Sequence, residues 1–137
     1  MDLLTTKIDI PYGILVCDSD NLKPVNDSLG HIAGDELLKS TGKILQQVFS
    51  SEHIVSRTGG DEFVIIVKDK PFVEVERLYK KTQIAIEQYN ESNSAMPIKI
   101  SIGLAYSETS INAMESTLNI ADSNMYKNKR QKTNLTL

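Results

Sequence analysis

The residues of this chain whose types and spacing could do chemistry fall into two groups. In the first, Arg57-Thr58-Gly59-Gly60-Asp61-Glu62-Phe63 sets two glycines and then two carboxylates between the apolar runs Ile54-Val55 and Phe63 to Val67. Runs of that kind around Gly-Gly predict two short strands joined by a tight hairpin, whose turn would draw on the positive φ that glycine adopts at little cost. Glycines at a turn also leave no Cβ between the backbone and an approaching ligand. Asp61 and Glu62 then sit at the tip of a rigid hairpin. Paired hard-oxygen donors beside a bare backbone suit Mg²⁺ and phosphate chemistry. An ordinary acidic hairpin turn would read the same way from this string alone.

The second group is Asp18-Ser19-Asp20-Asn21-Leu22-Lys23-Pro24-Val25-Asn26-Asp27, with Gly30-His31 and Gly34-Asp35 beyond it. It follows Gly13-Ile14-Leu15-Val16-Cys17, a short apolar run of the kind that forms a buried strand. A buried strand that ends on an aspartate, followed by an irregular polar loop, is one way to build a metal site. Asp18 and Asp61 are far apart in sequence, yet both are expected at strand ends of one sheet. The plainer reading makes Asp18, Asp20 and Asp27 turn formers and a helix cap.

Other segments must position these residues. Within 36–49, Leu37, Leu38, Thr41, Ile44, Leu45 and Val48 recur at helical spacing, with Gly42 marking close packing. After Pro71, Val75, Leu78, Tyr79, Thr82, Ala85, Ile86 and Tyr89 predict a second amphipathic helix. Residues 98–104 alternate like a half-buried strand. Ile111, Met114, Leu118, Ala121 and Met125 give the stripe of a third helix, and the basic run Lys127, Lys129, Arg130, Lys132 complements its C-terminal end. The expected order is strand, helix, two strands, helix, strand, helix. That is an α/β (α+β) sandwich with helices flanking a mainly antiparallel central sheet, in a single domain over 1–137 whose residues 1–12 are expected to be an irregular or truncated N-terminal segment.

Composition agrees. A chain of 137 residues with 40% hydrophobic and 24% charged residues can bury a proper core. Its net charge of −3 argues against nonspecific nucleic-acid binding. The single Cys17 excludes an internal disulfide and reads as a small buried apolar residue. No apolar run approaches the roughly 20 residues of a membrane helix, which makes the cytoplasm the expected compartment.

Together the segments resemble the GGDEF domain of bacterial diguanylate cyclases. That pattern is Asp-x-Asp-x-Phe-Lys-x-x-Asn-Asp, then Gly-His-x-x-Gly-Asp, then Gly-Gly-(Asp/Glu)-Glu-Phe. Here it is matched by Asp18, Asp20, Lys23, Asn26, Asp27, Gly30, His31, Gly34, Asp35 and Gly59 to Phe63. Ser101-Ile102-Gly103-Leu104-Ala105 is similar to the family's Ser-Ile-Gly-Val-Ala strand. Ala121-Asp122, Tyr126 and Lys129 are similar to its last helix, Ala-Asp-x-Ala-Leu-Tyr-x-Ala-Lys.

The resemblance implies a palm-like nucleotide-cyclase fold. It also implies condensation of two GTP molecules into cyclic di-GMP across a homodimer, with loss of pyrophosphate. Asp18, Asp61 and the carbonyl of Ser19 would hold Mg²⁺ or Mn²⁺, and Glu62 would tune that site or accept a proton. Lys23 and Lys129 would hold the β- and γ-phosphates. Gly59 and Gly60 would approach the α-phosphate, and Asn26 and Asp35 would read guanine in a pocket that Leu22 helps to wall. A buried Asp35 would favour guanine, because guanine offers N1–H and a 2-amino group where adenine has no such donor pair. The resemblance also implies a sensory or regulatory domain elsewhere. The alternative is a degenerate module that binds GTP or a protein partner without turnover.

The chain departs from the pattern in places. Asp2-Leu3-Leu4-Thr5 echoes the family's opening motif, but the first strand follows too soon for the usual leading helix. Asn21 and Leu22 stand where aromatic residues are common, and Thr133 replaces a late arginine. The family's Arg-x-x-Asp product-inhibition site would fall at Ser50-Ser51-Glu52-His53, which has neither its arginine nor its aspartate. Those missing charge-assisted bonds would each contribute roughly 1.5–3 kcal/mol. Calorimetric titration is therefore expected to show no submicromolar cyclic di-GMP binding at this segment.

Overall fold

The computed structural model describes residues 9–135, and the Asp2 to Thr5 segment lies outside them. The elements are β1 (Tyr12–Ser19), α1 (Leu22–Leu29), α2 (His31–Phe49), β2 (Ile54–Arg57), β3 (Glu62–Lys68), α3 (Phe72–Ser92), β4 (Ile100–Ser107) and α4 (Met114–Leu135). They form an α+β fold around a sheet ordered β2-β3-β1-β4, with every neighbouring pair antiparallel.

β1 lies between β3 and β4 and is covered on both faces, which is why its apolar run is unbroken from Ile14 to Cys17. Alternation along the strands divides the core into two layers. Leu15, Cys17, Phe63, Ile65 and Val67 join Leu37, Leu45, Val75 and Leu78 of α2 and α3 on one face. Tyr12, Ile14, Val16, Ile66 and Ala105 meet Ala121 and Met125 of α4 on the other.

Two expectations need correction. The polar stretch after Asp20, read as an irregular loop, is the short helix α1. Pro24 is its third residue, within the first turn, where a missing N–H removes no intrahelical bond. Leu22 and Val25 pack against the larger core layer and hold the helix in place. The second correction concerns α4. Met114, Ala121 and Met125 face the core as expected, but Ile111 precedes the helix and is exposed, and the helix buries Thr117 while leaving Leu118 exposed. Its seat on the sheet requires this, because its backbone lies directly on β4.

That seat is made by Gly103. A Cβ there would stand 2.0 Å from the Ala121 carbonyl oxygen and 2.1 Å from the Met125 nitrogen, both backbone atoms that cannot yield separately. Gly42, also in a close approach, would meet only the edge of the Phe63 ring at 3.3 Å. Gly103→Ala should therefore cost roughly 3 kcal/mol through overpacking. Gly42→Ala should be near neutral, because a helix-propensity gain of about 1 kcal/mol offsets the crowding. Urea denaturation of the two variants checks the contrast.

Candidate active site

Register brings the acidic residues together. Asp18, near the end of β1, lies opposite Glu62 of β3 on one side and Ser101 of β4 on the other. The Ser19 N–H donates to the Asp61 carbonyl at 3.0 Å, which ties the hairpin tip to the end of β1. Asp61 and Asp18 thereby stand close enough for their charges to interact. Burial, and then the charge of Asp18, hold the Asp61 carboxyl above the ordinary carboxylate range. Two carboxylates in that position call for a cation.

Lys129 of α4 supplies one. Its Nζ stands 2.6 Å from Asp18 Oδ2 and 3.6 Å from Asp20 Oδ1. Burial alone would lower its pKa, but the hydrogen bond and charge of Asp18, with Asp20 and Asp61, outweigh that and hold the ammonium above its usual range. Lys132 reaches Asp20 Oδ2 at 3.3 Å and donates to the Ile100 carbonyl. Ser101, fully buried, places its hydroxyl 2.8 Å from both Asp20 oxygens. The lysines read as a charged helix terminus thus turn back onto the ends of β1 and β4.

Ser101 and Lys132 were not foreseen as parts of this cluster. Lys132 could have been found from its i+3 spacing to Lys129, which puts both on one helix face. Ser101 had no signal beyond its place in a strand, since its partner depends on register.

The glycine turn behaves differently from expectation. Gly30 is the one glycine with positive φ among the described residues, so Gly59 and Gly60 do not serve the turn in that way. A Cβ on Gly60 would meet nothing within 4 Å, and one on Gly59 only the Glu62 Cβ at 3.9 Å. The Arg57 guanidinium donates to both their carbonyls, at 3.3 and 2.7 Å. The fold thus leaves open space above the two glycines, next to the carboxylates. Glu62 accepts from the Thr58 hydroxyl at 3.0 Å.

The remaining candidates stand on α1 and α2. Asn26 has a buried Oδ1 with no hydrogen-bond partner in the structure. Gly34 of α2 lies against it so closely that a Cβ there would be 1.7 Å from that oxygen. Asp35 is the next residue, and its side of the helix is exposed, not buried as the guanine argument supposed. Leu22 is half-buried beneath the same corner, with Cδ1 3.1 Å from the position of a Gly34 Cβ. Lys23 is 86% exposed and pairs with Asp27 at 3.5 Å, so the structure does not bring its ammonium to the carboxylates. A cleft of about 690 Å³ opens between α3, β4 and α4. It shares Asp20, Lys129 and Lys132 with the cluster, but neither Asn26, Asp35 nor the glycine turn lines it.

The donor set fits a hard divalent cation. Among the described residues no three His, Cys, Asp or Glu side chains gather as a complete protein cage. Asp18 and Asp61 as a pair suit Mg²⁺, which is usually held by one or two carboxylates plus waters and substrate phosphates. Cys17 is no competitor as a nucleophile, because burial pushes its thiol up to about 12. The segment Ser50 to His53 is occupied with the fold. His53 is buried, accepts the Lys68 N–H at Nδ1 at 3.1 Å and is held below its ordinary pKa by burial, while Glu52 pairs with Lys70 at 2.8 Å. No helix among the described residues is long and apolar enough to cross a membrane.

Comparison with known proteins bears on the family and the fold. Residues 4–135 match the family described as diguanylate cyclase, GGDEF domain. The chain is 28% identical over 123 residues to the probable diguanylate cyclase DgcT of Escherichia coli, covering 87% of this chain and 27% of that protein. It is 32% identical over 107 residues to the cyclic di-GMP phosphodiesterase PdeB of Shewanella oneidensis, covering 74% of this chain and 12% of that protein. It therefore spans only a small part of either. Among solved structures, the active GGEEF domain of a diguanylate cyclase from Vibrio cholerae superposes with a TM-score of 0.78 at 27% identity, covering 89% of this chain and 78% of that one. With its motif carboxylates gathered at adjacent strand ends and its family match running almost end to end, the chain belongs to the GGDEF family of diguanylate cyclase domains.

Proposed function

We propose that this domain condenses two GTP molecules into cyclic di-GMP, each of two copies of the chain holding one nucleotide. The observation that carries the reading is the meeting of Asp18, Asp61 and Lys129 beside the open Gly59-Gly60 turn. In the reaction, the 3′-oxygen of each GTP attacks the α-phosphorus of the other, and each bond from α-phosphorus to the oxygen bridging to the β-phosphate breaks. Two pyrophosphates leave and both hydroxyl protons are lost. A Mg²⁺ or Mn²⁺ ion held by Asp18, Asp61 and the Ser19 carbonyl would acidify that hydroxyl and offset the phosphate charge.

The chain's own groups do the rest. Gly59 and Gly60 admit the phosphates without a side chain in the way. Lys129, already charged and half-exposed, turns toward the terminal phosphates, and Lys23 can swing from Asp27 to join it. Glu62 takes up the hydroxyl proton. The unpartnered Oδ1 of Asn26 accepts a hydrogen bond from the base, and Asp35 accepts from the guanine N1–H and 2-amino group. A single copy supplies half of the reacting pair, so turnover requires two.

The exposure of Asp35 and the distance of Lys23 from the carboxylates favour one second reading, a module that binds GTP or a protein partner without turnover. A sensory or regulatory domain would then read that occupancy.

Asp18→Ala and Asp61→Ala should each weaken Mg²⁺-dependent GTP binding by roughly 100-fold or more, since even outer-shell partners of a metal matter by 10–100-fold. Calorimetry with and without Mg²⁺ is the measurement. Wild-type binding in either variant would sink the assignment. GTP should bind roughly tenfold better than ATP, the effect of about one well-made hydrogen bond to Asn26 or Asp35. Product formation, followed by chromatography, should rise with the square of protein concentration until dimers saturate. Selective GTP binding with no product at any concentration would favour the non-catalytic module.

A further inference from the structure

β4 is an edge strand, and α4 closes its open side with side chains rather than with another strand. Asn124 Nδ2 donates to the Leu104 carbonyl at 2.8 Å, the Ile102 N–H donates to Asn128 Oδ1 at 3.0 Å, and Lys132 Nζ donates to the Ile100 carbonyl. The helix residues advance by four while the strand residues retreat by two. Those steps match, because four helical residues rise about 6 Å and two strand residues about 6.8 Å. Gly103 sets how closely α4 lies on the sheet, but contact between a glycine and a helix backbone does not resist sliding. The two asparagines do, since each is bonded to one fixed backbone group of β4.

Lys129 follows Asn128 directly, and its ammonium meets Asp18 on the neighbouring strand. In the family motif given above, alanines, which can make neither bond, stand at the positions of Asn124 and Asn128. We propose that Asn124 and Asn128 are positioning residues that fix the axial register of α4 on β4 and so place the Lys129 ammonium at Asp18. The link to nucleotide binding rests on the function proposed above; the placement of Lys129 does not.

Two isosteric substitutions separate this from a general contribution to folding. Asn128→Asp keeps an acceptor for the Ile102 N–H, whereas Asn124→Asp loses the donor and sets a carboxylate against the Leu104 carbonyl. Both add the same charge to the same helix, one turn apart. In ¹⁵N-labelled protein, the lysine ammonium signal that disappears in Lys129→Arg should persist in Asn128→Asp and broaden or vanish in Asn124→Asp. GTP affinity should fall about tenfold in the second and change little in the first. Asn124→Ala, which deletes the donor without adding charge, should follow Asn124→Asp and keeps the comparison readable if the latter folds poorly. Val48→Ala in α2 should lower the melting temperature while leaving the Lys129 signal intact. Equal behaviour of Asn124→Asp and Asn128→Asp in the ammonium spectrum would overturn the proposal. A preserved contrast in that spectrum with no GTP binding by the wild type would uphold the positioning role and remove the nucleotide reading instead.

Discussion

Two carboxylates that repel one another hold the key position in this molecule. Asp18 stands on β1 and Asp61 in the turn that leads into β3, and the Ser19-to-Asp61 backbone bond holds the two segments together. Such an arrangement is unfavourable unless positive charge stands nearby. The last helix answers that need, reaching across the face of the sheet to bring Lys129 to Asp18 and Lys132 to Asp20. The site is thus built by opposition. The sheet concentrates negative charge at one end, and the helix neutralises it with groups that a polyphosphate ligand could attract away.

This view explains why the glycines matter in unlike ways. Gly103 and Gly34 are squeezed, one by the backbone of α4 and the other by the Asn26 carbonyl oxygen, so their absence of a side chain serves packing. Gly59 and Gly60 have space above them, and no positive φ obliges them to be glycine. Emptiness that folding does not require, next to partly buried carboxylates, is what a ligand-binding surface leaves behind when side chains would obstruct it.

Much of this was legible in the chain itself, and the residues show why. Phe63 to Val67 and Ile14 to Cys17 are apolar runs short enough to be strands, so the sheet and the meeting of Asp18 with Asp61 followed from pattern and motif. α1 was hidden because Pro24, Asn26 and Asp27 have turn-like local preferences, and the packing of Leu22 and Val25 overrode them. The α4 stripe was right at Met114, Ala121 and Met125 and wrong at Leu118, which fits the helical period as well as Thr117 does. Only contact with Gly103 chooses between them. Ser101 depends on register between β1 and β4, which no window of sequence contains, whereas Lys132 was within reach through the helix face that it shares with Lys129.

The side-chain cover on β4 also bears on how copies of this chain can meet. An exposed strand edge offers a row of amide and carbonyl groups to any other extended chain, and proteins protect such edges in various ways. Here the carbonyls of Ile100 and Leu104 and the N–H of Ile102 are already engaged by α4. The opposite edge, β2, is only Ile54–Arg57, too short to template a long pairing. Neither margin of the sheet invites a second sheet to add to it. Any contact between copies would then fall on helices and loops rather than extend the sheet strand by strand.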